Sequence, residues 1–252
     1  MSTILSSFAV SIKDTIIALS TPPGRSGIGV VRLSGRRSLE ISQRLVRDKN
    51  FQPEPNHTTL KKLYDTATGE VLDHALLTYF KSPHSFTGED VVEFSCHGSP
   101  ILLRYLIDII LSFDSRLAGP GEFTLRALHN GRLNLSQAEA IRDLINAQTK
   151  AAAQQATRQL GGELSALLQP IKDGLLNIIV PLESALEFVE DDLPALAIKE
   201  IREKLSALIN CIQEIASTFQ AGRLLREGLK VTLVGRPNVG KSSIFNKLVV
   251  SD

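Results

Sequence analysis

Apolar and polar positions alternate along the first part of the chain, while its second part repeats them at helical spacing. Residues 15–19 (TIIAL) and 28–33 (IGVVRL) predict two strands, separated by a Pro- and Gly-rich loop at 21–27. Residues 36–46 predict a short amphipathic helix, and 50–56, with Pro53 and Pro55, a loop. Residues 58–64 and 71–80 predict a hairpin turning at 66–70, residues 91–95 a further strand, and 100–113 an apolar helix. A short helix within 119–132 is expected to stop at Gly131, just past its C-cap. Ser136 and Glu139 then read as a capping box opening a helix from 137 to about 160. Helical composition continues to about 226, with breaks expected at Gly161 and Gly162, Pro170, Pro181 and 191–194. The pattern predicts an α+β region over 1–130, an all-helical domain over 131–227, arranged as an antiparallel bundle, and a third element beginning at 228.

That third element carries the clearest chemistry. Residues 230–243 read KVTLVGRPNVGKSS and fill the GxxxxGKS/T pattern of a phosphate-binding P-loop. The apolar run 229–234 predicts the preceding strand, and 243–249 the following helix. Such a loop holds polyphosphate through converging backbone N–H groups at a helix N-terminus, with glycines allowing close approach. Gly235 and Gly240 take that part, Lys241 adds charge and the Ser242 hydroxyl suits Mg²⁺. Only 23 residues run from Lys230 to Asp252, so the reading expects the start of a nucleotide domain without its later motifs.

Composition narrows the remaining choices. The 252 residues carry a net charge of +1, which announces no polyanionic partner globally. Two widely spaced cysteines, Cys96 and Cys211, fit free thiols in a reducing, cytoplasmic setting. No basic segment precedes the apolar N-terminus as in a signal peptide, and no apolar run approaches a membrane span. In the strand 91–95, Val92 and Phe94 face one way and Val91, Glu93 and Ser95 the other. On the residues alone a solvated face is the default for Glu93 and for Arg32. Cys96 and His97 with His84 lack any repeated ligand spacing, and a structural cysteine and a loop histidine are expected there. The acidic run 187–192 reads as a solvated helix end.

Four blocks resemble one family, the MnmE or TrmE tRNA-modification GTPases. They are DTIIALSTPPGRSGIGVVRLSG from Asp14, SFTGEDVVEFSCHGSP from Ser85, GPGEFTLRALHNGRLNLSQAEA from Gly119, and LLREGLKVTLVGRPNVGKSS from Leu224. Ribosome-assembly GTPases share the P-loop, but the first 150 residues separate this chain from them. The resemblance implies an N-terminal domain that binds a tetrahydrofolate derivative and forms the homodimer, a helical domain, and a G domain set into it. It implies tRNA as substrate, the flavoprotein MnmG as partner, no membrane, and addition of an aminomethyl-type group to carbon five of the wobble uridine. GTP hydrolysis dependent on potassium and magnesium would drive the cycle.

By the same resemblance the folate contacts are Arg32, Glu93 and, where the family has lysine, Arg132. The GTP contacts are Asn238, Val239, Gly240, Lys241, Ser242 and Ser243, with Asn238 toward potassium and Ser242 toward magnesium. No catalytic residue for hydrolysis is assigned within these residues, and the chain alone is expected to be inactive as a GTPase. The alternatives are a folate-binding dimerisation module without turnover and an assembly-type GTPase.

Overall fold

The computed structural model describes residues 14–187, 195–218, 222 and 232–248. Two compact units divide at Ala138/Glu139.

The first unit is built on a six-stranded sheet in the order β3-β4-β5-β2-β1-β6. Its strands are β1 (Thr15–Leu19), β2 (Ser26–Ser34), β3 (Thr58–Tyr64), β4 (Val71–Phe80), β5 (Val91–Gly98) and β6 (Ser115–Leu117). All neighbours pair antiparallel except β1 and β6, which run parallel. The expected α+β class holds, and the hairpin strands end where the alternation places them. The three-residue β6 carries too short a pattern to be read from sequence.

Period two decides which side of the sheet is covered. Along β4, Asp73, Ala75, Leu77 and Tyr79 are buried, as are Val92, Phe94 and Cys96 along β5. Helix α1 (Ser38–Leu45) buries Ser38, Ile41, Ser42 and Leu45, the i, i+3, i+4, i+7 stripe of one helical face. Helix α2 (Pro100–Leu111), with proline at its first position, buries Leu103, Leu106, Ile109 and Ile110. The apolar ones among these side chains share one core with Val31 and Leu33. Each fully buried large side chain of this kind contributes about 1.5–3 kcal/mol relative to exposure. At Gly29 of β2, an added Cβ would lie 2.3 Å from Leu103, so α2 rests directly on the strand's backbone.

Helix α3 (Glu122–His129) starts after Gly121 and stops before Gly131, whose φ values of 72° and 69° lie in the left-handed region. Gly131 follows the C-cap Asn130, as expected. Helix α4 (Leu135–Ile145) begins earlier than the Ser136/Glu139 reading places it. The Asn134 side chain accepts from the Gln137 N–H at 2.9 Å, and the Gln137 side chain accepts from the Asn134 N–H at 3.0 Å. This is the same reciprocal logic, moved two residues.

In the second unit the expected helix to residue 160 is interrupted. Helix α5 (Lys150–Leu160) starts afresh, with the Thr149 hydroxyl accepting from the Ala152 N–H at 3.1 Å. The expected break at Gly161 and Gly162 is present. Pro170 and Pro181, by contrast, lie inside one continuous helix, α6 (Glu163–Glu187). Each proline removes one ladder bond and crowds the carbonyl four residues back, yet the helix runs through both and packs on α7 (Ala195–Ser217). Ile171, Gly174 and Ile178 form the seam, and an added Cβ on Gly174 would stand 2.8 Å from Leu208. That contact fixes an antiparallel pair. Parallel helices meeting there would separate residues 187 and 195 by about 40 Å, whereas the intervening chain reaches at most about 29 Å. The break expected at 191–194, and most of the acidic run 187–192, lie outside the described residues.

The strand expected over 229–234 does not form in its described part. Thr232–Gly235 is irregular, and Val234 is exposed, because no described strand lies beside it to accept its hydrogen bonds. The following helix, α8 (Lys241–Leu248), is present.

Candidate functional site

Arg32 and Glu93 stand directly opposite each other on β2 and β5, on the sheet face turned away from α1 and α2. Both Nε and a terminal guanidinium nitrogen of Arg32 donate to Glu93 Oε1 at 2.7 Å. The solvated-face default is therefore corrected for both residues, whose side chains are only 30% and 24% exposed. Strand register has turned two isolated charges into a fixed pair.

Two aromatic rings flank that pair. The guanidinium carbon of Arg32 lies 5.8 Å from the ring centre of Phe86 and 5.7 Å from that of Phe123, within range of cation–π attraction. Phe86 comes from the loop before β5 and Phe123 from the first turn of α3. Arg132, just beyond α3, borders the same loop, its Nε donating to the Ser85 carbonyl at 3.1 Å. Its stem passes Gly88, where a Cβ would meet Arg132 Cγ at 3.2 Å. Among the described residues Glu93 Oε2 and the terminal nitrogens of Arg132 make no hydrogen bond. The site thus offers one carboxylate acceptor, aromatic surface and two cations.

Beneath it lies a network that sequence reading missed. The Arg126 side chain is 1% exposed and reaches three carboxylates: Asp14 at 2.6 Å, Glu122 at 3.0 Å and Glu89 at 3.1 Å. Arg116 grips Glu122 and Asp14, each at 2.6 Å. Burial pushes the Glu122 carboxyl upward, but Arg116, the Gly119 N–H and Arg126 outweigh it and hold its pKa at about 2. Glu89 also accepts from the Ser34 hydroxyl at 2.7 Å, tying the network to β2. The one sequence signal was the i, i+4 spacing of Glu122 and Arg126 in a short helix. The other members come from distant stretches.

At the far end of β5, burial together with the Asp73 charge pushes the Cys96 thiol up to about 12, leaving it un-ionised near neutrality. His97 sits on the strand rather than in a loop, its Nδ1 2.6 Å from Asp73. Burial favours the neutral form of Asp73, yet the His97 and His74 N–H groups and the His97 ring keep its pKa lowered.

In the second unit, Gly235–Lys241 forms a tight turn in which Asn238 and Gly240 take φ values of 61° and 87°. The first helical bond shown there runs from the Ile244 N–H to the Gly240 carbonyl at 3.0 Å. The N–H groups of Lys241, Ser242 and Ser243 open the helix without such acceptors, as an anion site requires. Lys241 Nζ donates to the Gly235 and Arg236 carbonyls at 2.9 and 2.6 Å. Val239, Ser242 and Ser243 are exposed.

Comparisons with known proteins agree with this division. The family model of the GTP-binding protein TrmE N-terminus matches residues 15–132, and that of the MnmE helical domain matches residues 135–251. The tRNA modification GTPase MnmE of Koribacter versatilis is 44% identical over 245 residues, covering 96% of this chain and 54% of that protein. Its namesake from Aquifex aeolicus is 42% identical over 238 residues, covering 94% and 53%. That from Coxiella burnetii is 43% identical over 235 residues, covering 93% and 51%. The chain spans about half the length of the curated relatives it matches.

Proposed function

Because the chain belongs to the MnmE (TrmE) family of tRNA modification GTPases, we propose that its first unit holds a tetrahydrofolate derivative and its P-loop holds GTP. The observation that carries the first part is the Arg32–Glu93 pair, set in register on one sheet face and flanked by Phe86 and Phe123. A folate offers a pterin ring with a donor edge and, at its other end, a tail bearing carboxylates. Glu93 Oε2 suits the donor edge, the two phenylalanines suit the ring, and Arg132 suits the carboxylated tail. Arginine there presents a planar fork, so it engages a carboxylate through two donors at once. Bound in this way, the folate would supply a one-carbon unit, while these side chains hold and orient it.

At the P-loop, the N–H groups of Lys241, Ser242 and Ser243 face the phosphates, and Lys241 Nζ exchanges loop carbonyls for phosphate oxygens. Ser242 contributes its hydroxyl to magnesium and Asn238 its side-chain oxygen to potassium; Val239 and Gly240 complete the loop. We infer that the activity served is addition of a carboxymethylaminomethyl-type group to carbon five of the wobble uridine of tRNA. It proceeds with the flavoprotein MnmG and is driven by GTP hydrolysis, in a homodimer formed through the first unit.

Arg32→Ala and Glu93→Ala test the folate site. Each is expected to weaken tetrahydrofolate binding at least tenfold and to leave GTP binding unaltered, as read by calorimetry. Unchanged folate affinity in both variants removes the site. Lys241→Ala is expected to do the reverse, weakening GTP alone.

A further inference from the structure

We propose that Arg126 is a positioning residue for the Arg32–Glu93 site, locking in place the two elements that carry Phe86 and Phe123. It touches neither ring nor Arg32 by any hydrogen bond. Its guanidinium is instead carried by α3 itself, braced within that helix by Glu122, and ties the helix to the loop before β5 through Glu89. A third anchor, Asp14, accepts at both its side chain and its carbonyl, fixing the start of β1.

The geometry transmits this hold to the rings. On α3, Glu122 and Arg126 lie one turn apart on the buried face, and Phe123 follows Glu122 by about 100° of helical rotation. Holding that face from outside the helix, Arg126 by Asp14 and Glu122 by Arg116, therefore fixes where Phe123 points. On the loop, Glu89 is held from two sides, by Arg126 and by the Ser34 hydroxyl. Ser34 also bonds Thr87 at 2.8 Å, and Ser34 lies two residues from Arg32 on the same sheet face. The residue between Ser85 and Thr87 is Phe86. Both neighbours are buried while Phe86 is 39% exposed, so the loop is pinned on either side of the one ring it presents. A mobile loop would have to order itself each time a flat ligand bound, and the buried arginine removes that cost beforehand.

The proposal rests on reading the Arg32 face as a ligand site, so its test has one arm that needs no ligand. In the full chain, the Arg32 guanidinium carbon lies 5.8 and 5.7 Å from the two ring centres, so the Nε–H resonance is expected to carry an upfield ring-current contribution. Glu89→Gln keeps the loop's shape but removes the charge that Arg126 grips; Arg126→Lys keeps a cation but cannot bridge three carboxylates. In both variants the Arg32 resonance is expected to lose its upfield shift while the amide resonances of β2 and β5 stay in place. Tetrahydrofolate affinity is expected to fall at least fivefold. If Arg126→Lys does not fold, Glu89→Gln decides alone. An Arg32 resonance that keeps its position in a folded variant overturns the proposal. Loss of the shift in a protein whose wild type binds no tetrahydrofolate supports the positioning role and removes the folate reading instead.

Discussion

The α+β unit and the helical pair α6/α7 bury their apolar side chains in opposite ways. In the sheet unit alternate residues of β2, β4 and β5 are buried on the side of α1 and α2, and Ile17, Val31, Leu33 and Phe94 reach 0% exposure. In the helical pair a single seam is closed, at Ile171, Gly174 and Ile178, while Leu167, Leu176 and Val180 stay 53%, 45% and 57% exposed. The opposite face of the sheet combines apolar residues, Ile16 and Val91 at 0% and 2% exposure, with polar pairing. That face is where Arg32 and Glu93 meet. A two-helix pair has no second layer, and among its described residues no comparable buried polar network is built.

The contrast can be broken most severely at the buried charges. Glu122→Ala leaves Arg126 and Arg116 short of a carboxylate, and is expected to cost about 3–5 kcal/mol in denaturant unfolding of the first unit. A loss under about 1 kcal/mol would show that the network does not hold the unit together. The same group sharpens the comparison through pH. Because its folded pKa of about 2 lies below the ordinary 4.5, Glu122 contributes stability fully above about pH 4.5, and that contribution disappears as pH falls toward 2. Glu122→Gln is expected to flatten the acid limb of the first unit's stability curve. The limb should be unchanged in a variant of the helical pair.

Smaller effects are expected in the second unit. Ile178→Ala on the seam should cost about 2 kcal/mol or slightly more, the lower end for a buried isoleucine, because its neighbours are partly open to water. Thr149→Ala removes the cap of α5 and should cost about 1 kcal/mol, visible as faster amide exchange over its first turn. Leu176→Ala, at an exposed position, should fall within about 0.5 kcal/mol. A larger loss at Leu176 than at Ile178 would invert the assignment of the seam.

Sequence reading succeeded where one local pattern dominates. Strict alternation placed β3 and β4, and Gly131 marked the end of α3. It failed where a longer-range term decides: the caps Asn134 and Thr149 compete with equally plausible polar neighbours, and two prolines lie inside α6, which packs on α7. The site was legible in the same uneven way. Arg32, Glu93 and Arg132 were named, yet their pairing depends on strand register, and Phe86 and Phe123 gave no sign of meeting above Arg32. Arg126 was invisible as an anchor because Asp14 and Glu89 lie 112 and 37 residues from it. A charge in a short amphipathic helix looks the same in sequence whether it meets water or three carboxylates.

On the proposed reading, the first unit carries a preformed ligand site of its own. Calorimetric titration of tetrahydrofolate into this chain, repeated with Arg32→Ala, tests it most directly. Saturable binding is expected at one site per chain, weakened at least tenfold by the substitution. Absence of binding to the wild-type chain, or equal affinity in the variant, would contradict it.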